Sequence, residues 1–271
     1  MIAVENLGFA VSGKWLLSGI DITLRPGRLT VVIGPNGAGK STLLRLLTGE
    51  ARPSSGCVCV GGRDIHSVPP AELAKVRAVV PQHTSLAFPF TVIEVVQLGV
   101  TVPGLVPNGR RAQRLAEIML ERVGLLELAD RIYSSLSGGE RQRVHIARAL
   151  CQLEASMDYD APLALMVDEP TSSLDIAHQL SVLEELKSQA KRGRVVVAVL
   201  HDLNLSAAYA DDILLLSEGR QLAFGKPETV LADELLSVAY QCRIRLNALP
   251  EHGAPFVLPQ ACGNTARALS S

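Results

Sequence analysis

Aromatic residues are scarce in this 271-residue chain. Phe, Trp and Tyr together make 4%, which leaves few platforms on which nucleic-acid bases could stack. An excess of either charge is missing too. The 26 basic and 27 acidic side chains give a formal net charge of -1, and that excludes a nucleic-acid binder working by bulk electrostatics. Cysteines are few: Cys57, Cys59, Cys151, Cys242 and Cys262 make an odd number with no Cys-x-x-Cys pair. Such a set reads as a reducing compartment without a zinc site or a disulfide framework. Long apolar runs are absent. The longest, Val195–Leu200, is far short of the roughly 20 residues of a membrane-spanning helix. No basic stretch precedes an apolar core in the opening MIAVENLGFA, so no secretory signal is expected and a cytoplasmic chain is.

What is present reads as an ordinary globular protein, with 48% apolar and 20% charged residues. Short apolar runs alternate with helical patterns. Leu29–Ile33, Leu163–Val167 and Val195–Leu200 read as buried strands, and Ser41–Gly49 as a helix with Leu43, Leu46 and Leu47 on one face. Strands alternating with helices predict a parallel sheet covered on both sides. From about Leu86 to Gln152 no strand pattern appears. Leu115, Ile118, Met119 and Val123 recur at helical spacing, as do Ile146, Ala149, Leu150 and Leu153. This stretch predicts a helical subdomain inserted into the α/β core, with a Pro- and Gly-containing loop over 101–111. Beyond Pro250 the composition turns to a loose tail.

Three of the apolar runs end in polar groups of a related kind. Gly34-Pro35-Asn36-Gly37-Ala38-Gly39-Lys40-Ser41 matches the phosphate-loop pattern and continues with Thr42. Its glycines let backbone N–H groups form an anion nest, and a helix starting at Lys40 adds its positive end. Lys40 can reach β- and γ-phosphates, and the Ser41 hydroxyl can reach Mg²⁺. Leu163–Val167 ends in Asp168 and Glu169 at the carboxyl end of a strand, where α/β ligands bind. Asp168 suits Mg²⁺ through its waters and Glu169 suits a general base. Alone, strand-end acids are as often helix caps. Ser137-Gly138-Gly139-Glu140 opens a helix carrying Arg141, Arg143 and Arg148, a second helix terminus able to meet an anion or an ordinary Ser cap. His201 follows the third run, and Gln82 follows Ala78–Val80. Neither is informative singly; their convergence on strand ends is.

In that order, Gly34–Thr42, Gln82, Ser137–Glu140, Leu163–Glu169, Ser172–Asp175 and His201 resemble the six signatures of the ATP-binding subunits of ABC transporters, over roughly Ile2 to Leu236. The resemblance implies an α/β P-loop ATPase core, a mainly parallel sheet with an antiparallel β edge. It places that RecA-like core at 1–85 and 153–240, the inserted signature subdomain at 86–152 and a tail at 241–271. By the same likeness Gly34–Thr42, Ser137–Glu140 and Asp175 contact ATP. Ser41, Gln82 and Asp168 serve Mg²⁺, and Glu169, Gln82 and His201 are catalytic. The family stacks adenine on an aromatic ahead of the phosphate loop. The aligned position here is Val11, with Phe9 and Trp15 as neighbouring substitutes. The D-loop reads Ser-Ser-Leu-Asp rather than the commoner Ser-Ala-Leu-Asp.

Within the family, His201–Asn204 with Ala207–Asp211 is similar to importers of iron chelates, cobalamin and hemin, and Phe88–Val92 with the insert at 153–162 is similar to the hemin importers. The likeness implies a homodimer, two transmembrane permease subunits, an indirectly coupled periplasmic binding protein, no nucleic acid, and a peripheral place on the cytoplasmic face of the inner membrane. His66, His83, His145, His178 and His252 are then surface or structural. Against this stand a soluble ABC-type ATPase of repair or translation and a nucleotide-holding module without transport. The first usually carries two cassettes or a coiled-coil insert, and neither is visible here. Export uses the same motor chemistry.

Overall fold

Apolar runs without polar alternation need cover on both faces, and three of them occupy the centre of the sheet. The computed structural model describes residues 1–82, 88–101, 109–156, 163–249, 253 and 255–259. Strands β1 (Ile2–Val11), β2 (Lys14–Leu24) and β3 (Arg28–Ile33) lead into helix α1 (Lys40–Leu47). Then come β4 (Ser55–Val60), β5 (Arg63–Asp64), α2 (Pro70–Val76) and β6 (Arg77–Val80). Helices α3 (Val92–Gln97), α4 (Arg110–Arg122) and α5 (Gly138–Ala155) follow. The chain next alternates through β7 (Ala164–Asp168), α6 (Ile176–Lys191), β8 (Val195–Val199), α7 (Leu203–Tyr209) and β9 (Asp212–Ser217). It finishes with β10 (Arg220–Gly225), α8 (Pro227–Val230) and α9 (Asp233–Tyr240).

Six strands form one sheet in the order β10-β9-β3-β8-β7-β6. All its pairs are parallel except the edge pair β10–β9. The expected antiparallel edge is therefore a single strand, and most of the antiparallel structure is a separate four-stranded sheet, β2-β1-β4-β5. Strand alternation divides the core between the two. Val32, Val195, Val197 and Val199 face α1 and the antiparallel sheet, packing with Ile2, Val4, Leu43 and Leu46. Leu29, Val31, Val196 and Ala198 face the opposite way, onto a core shared with α3–α6.

Between residues 88 and 152 the described residues contain no strand, only a bridge between Thr91 and Ile132. Ile146, Ala149, Leu150 and Leu153 are all buried in α5. In α4 the buried stripe is Ala112, Ala116, Met119 and Leu120, whereas Ile118 is 38% exposed and Leu115 only half-buried. Of the expected stripe, Met119 and Val123 are buried, Leu115 packs partly buried against the core and only Ile118 turns outward, while Ala112, Ala116 and Leu120 complete the buried face. Arg110 and Arg111 belong to α4 rather than to the preceding loop, of which 102–108 lie outside the described residues. So do 157–162 of the insert, His83, His252, Cys262 and most of the tail beyond Pro250.

Candidate functional site

Strand β3 delivers the phosphate loop to the carboxyl edge of the sheet, between β8 and β9. Its conformation requires glycine at two points. Gly34 has φ +146, and a Cβ there would lie 2.1 Å from the Leu216 carbonyl oxygen; Gly39 has φ +98, and a Cβ would lie 2.6 Å from Leu17 Cδ2. Gly39 also precedes α1 without any side-chain cap, so the first amides of the helix are left for an outside acceptor. Lys40, only 6% exposed, donates from Nζ to the carbonyl oxygens of Gly34 at 2.8 Å and Pro35 at 2.9 Å. Burial lowers its pKa, opposed by the nearby Glu169 and Asp168 carboxylates.

Asp168 is the last residue of β7 and is buried. Burial raises its carboxyl pKa, and Glu169 adds to the rise; a hydrogen bond from Ser41 and the charges of Lys40 and His201 oppose it. Its Oδ1 is buried without a partner. Glu169 follows in the left-handed region at φ +48, a strained setting for a side chain with a Cβ. Its N–H donates to the Val199 carbonyl at 3.2 Å. Both carboxylate oxygens are engaged: Gln82 Nε2 donates to Oε2 at 2.7 Å, and His201 Nε2 lies 2.5 Å from Oε1. The ends of β6, β7 and β8 thus converge on one carboxylate.

A cavity of about 570 Å³ opens over the loop. Asn36, Lys40 and Ser41 line one side together with Glu169, and Trp15 faces it from the β1–β2 hairpin, 54% exposed. Val11 is not in the lining, and Phe9 packs against the antiparallel sheet. The sequence reading missed Lys14, Leu16, Glu218 and Gly219, which complete the cavity. The β9–β10 turn is fastened to the hairpin by Ser18 N–H donating to the Gly219 carbonyl at 2.8 Å. The Glu218-Gly219 dipeptide between two apolar runs is the turn signal that could have found it.

Ser137–Glu140 and Asp175 lie elsewhere, outside the cavity lining. Ser137 caps α5: its N–H and Oγ both meet Glu140 Oε2 at 2.7 Å, and Glu140 N–H donates back to Oγ at 3.3 Å. These bonds hold the Glu140 carboxyl below its usual range. Asp175 caps α6, accepting from His178 N–H at 2.9 Å and facing its Nδ1 at 2.8 Å. The two segments touch, since a Cβ on Gly139 would lie 2.9 Å from the Ser173 carbonyl oxygen. His145 is buried against the Tyr133 hydroxyl at 2.7 Å, and burial pushes its pKa down to about 4, so it is neutral and structural.

A family model described as ABC transporter matches residues 17–172. The chain is 45% identical over 264 residues, 96% of its length and 99% of the relative's, to the hemin import ATP-binding protein HmuV of Rhizobium meliloti (strain 1021). Among solved structures it is similar to an inward-facing ABC transporter of the metal-chelate type, with 32% identity, TM-score 0.73, and 89% and 88% of the two chains covered. It is also similar to a dimeric bacterial ABC transporter cassette, with 26% identity, TM-score 0.73, and 84% and 99% covered.

Proposed function

Because this chain belongs to the ABC transporter family, we propose that it is the ATP-hydrolysing subunit of an importer for hemin or a related iron chelate. The observation that carries the motor assignment is the Glu169 carboxylate gripped by Gln82 and His201 beside Lys40, Ser41 and Asp168. The cargo rests on what the relative named for hemin import and the metal-chelate transporter are described as doing. Among the described residues no helix is long and apolar enough to cross a membrane. The transport path then belongs to two permease subunits, with this chain docked on them at the cytoplasmic face of the inner membrane through its helical subdomain, 86–152. The core takes 1–85 and 153–240. A periplasmic binding protein completes the importer.

The chemistry follows from the charges. A triphosphate entering the cavity meets the free amides of α1 and offers Lys40 stronger acceptors than two loop carbonyls. The orphaned Asp168 Oδ1, with Ser41 on the same carboxyl, fits a hydrated divalent cation. Ser41, Asp168 and Gln82 are the residues to hold Mg²⁺, which when bound neutralises charge on the β- and γ-phosphates. Glu169 takes the proton of the attacking water at a carboxylate oxygen. With both oxygens bonded in this state the base is parked, and either Gln82 or His201 must let go before a water can take its place. Release of Gln82 would tie that event to the helical subdomain that follows it in sequence.

Ser137–Glu140 and Asp175 cap α5 and α6 rather than the phosphate-loop helix, and in this reading they serve the ATP of another chain rather than that of their own. A second copy, related by a twofold axis, supplies them from across the interface. Purified Glu169→Gln is expected to bind ATP and dimerise with it while hydrolysing about 10²–10⁴ times more slowly. Lys40→Ala is expected to lose ATP binding. Equal ATP affinity in the two variants would overturn the motor assignment. With the permease in vesicles, ATPase stimulation by hemin but not by cobalamin is expected, and the reverse would overturn the cargo.

A further inference from the structure

Away from the nucleotide cavity, the antiparallel sheet turns a second chemically distinct surface to solvent. Cys57 and Cys59 stand two residues apart on β4, so their side chains leave the same face. Their Sγ atoms are 3.9 Å apart, and both residues are half-buried and free of disulfide bonds. Register puts Glu5 of β1 opposite Cys57 and Asp64 of β5 opposite Cys59, on that same face. Between the cysteines, Val58 points the other way, into the core with Val4 and Ile22. The dithiol is therefore carried on a strand held on both sides, its spacing set by the pleat.

We infer that Cys57 and Cys59 form a chelating site for a thiophilic divalent cation of the zinc class, with Glu5 and Asp64 supplying the negative field around it. The separation decides between the two reactions open to a close thiol pair. Two thiolates on a tetrahedral ion at about 2.3 Å each stand about 3.8 Å apart, so the sulfurs already have the chelating distance. A disulfide needs them at about 2.05 Å, with Cα atoms within about 6.8 Å. Residues two apart on an extended strand are separated by about 6.7 Å, at the limit, and β4 is clamped between β1 and β5. Oxidation must bend the strand; chelation leaves it in place.

Glu5 and Asp64 bring negative charge to the face that carries the two sulfurs, and that field attracts a cation. Binding is a proton exchange in which each thiol releases one H⁺ and two S–M bonds form, with no change of oxidation state. Among the described residues no group of three or more His, Cys, Asp or Glu could hold a metal ion. The chelate is accordingly two-coordinate in protein ligands, with water filling the remaining positions. It is independent of the transport reading.

The test titrates the reduced, metal-free full chain with Cd²⁺ and follows the thiolate-to-cadmium charge-transfer absorbance. Saturation at one equivalent, reversed by excess Zn²⁺, is expected. Cys57→Ser and Cys59→Ser should each weaken binding at least about 100-fold, the usual gain from tethering two ligands, while still binding ATP as the parent does. Cys242→Ser, which removes an exposed thiol, should change nothing. In the unaltered protein, Cd²⁺ should shield Cys57 and Cys59 from alkylation and leave Cys242 reactive. Absence of the band, its survival in both serine variants, or shielding of Cys242 instead would each overturn the site.

Discussion

The two ends of the proposed ATP sandwich are built on opposite plans. At the phosphate-loop end, groups are left open: α1 starts uncapped, Asp168 keeps an unpartnered buried oxygen, and Glu169 sits in a strained backbone conformation. At the signature end the helix-cap side chains are satisfied locally. Ser137 and Glu140 close a capping box, and Asp175 caps α6 and pairs with His178. The difference teaches where binding free energy is stored. One end holds unmet hydrogen-bonding capacity that only a charged ligand fills. The other offers a stiff, preorganised helix terminus whose contribution comes when a second copy brings a phosphate to it.

The sharpest way to break the comparison is at Gly34. Alanine there places a Cβ against the Leu216 carbonyl oxygen and forces φ +146 on a side chain, so nucleotide binding should be lost outright, as read by calorimetry. A variant that still binds would mean that the open end is not specified by its backbone. Next in size is Ser137→Asp. Aspartate caps a helix as well as serine does, so α5 and ATP binding by the monomer should persist. A carboxylate facing an incoming γ-phosphate costs several kcal/mol, and ATP-driven dimerisation, followed by light scattering, should weaken more than about 100-fold. If binding by the monomer falls equally, the two ends are not separate.

The phosphate-loop end was far more legible in the sequence than the sheet that frames it. Gly34–Thr42, Asp168 and Glu169 follow runs such as Leu29–Ile33, where local sequence and buried strand coincide. The antiparallel strands β1 and β2 escaped because bulges break their alternation at Val4/Leu7, Leu7/Phe9 and Phe9/Ala10. Asn6 at φ +44 marks the first of these breaks. Without the hairpin, the cavity wall of Lys14, Trp15 and Leu16 could not be placed, and Val11 took the aromatic's position by alignment alone. The clasp of Gln82 and His201 on Glu169 joins three strand ends far apart in sequence; local pattern names the residues without their geometry.

Two smaller effects refine the contrast. Trp15→Ala removes the aromatic that faces the cavity. Stacking on a base is worth about 1–3 kcal/mol, and a half-exposed ring delivers the low end, so ATP affinity should fall about 5–10-fold with turnover of bound ATP unchanged. A loss in turnover instead would move Trp15 from the binding wall into the catalytic group.

The smallest effect tests whether the open end is held at a cost to the fold. Burial and Glu169 raise the Asp168 pKa above its unfolded value of 3.8, so the ionised form is disfavoured on folding. The sign follows from linkage: the stability deficit grows as pH rises through the folded-state pKa and is absent below the unfolded one. Asp168→Asn should therefore melt higher than the parent near neutral pH, by about 2–4 °C for each kcal/mol relieved, and the gap should close as pH falls toward 4. Adding Mg²⁺ and ATP should reverse the order, because the ligand stabilises only the chain that binds it well. A variant that melts lower at neutral pH without ligand would show Asp168 to be a structural partner of Ser41. In that case the unmet capacity that distinguishes this end from the capped one would lie in the loop amides alone.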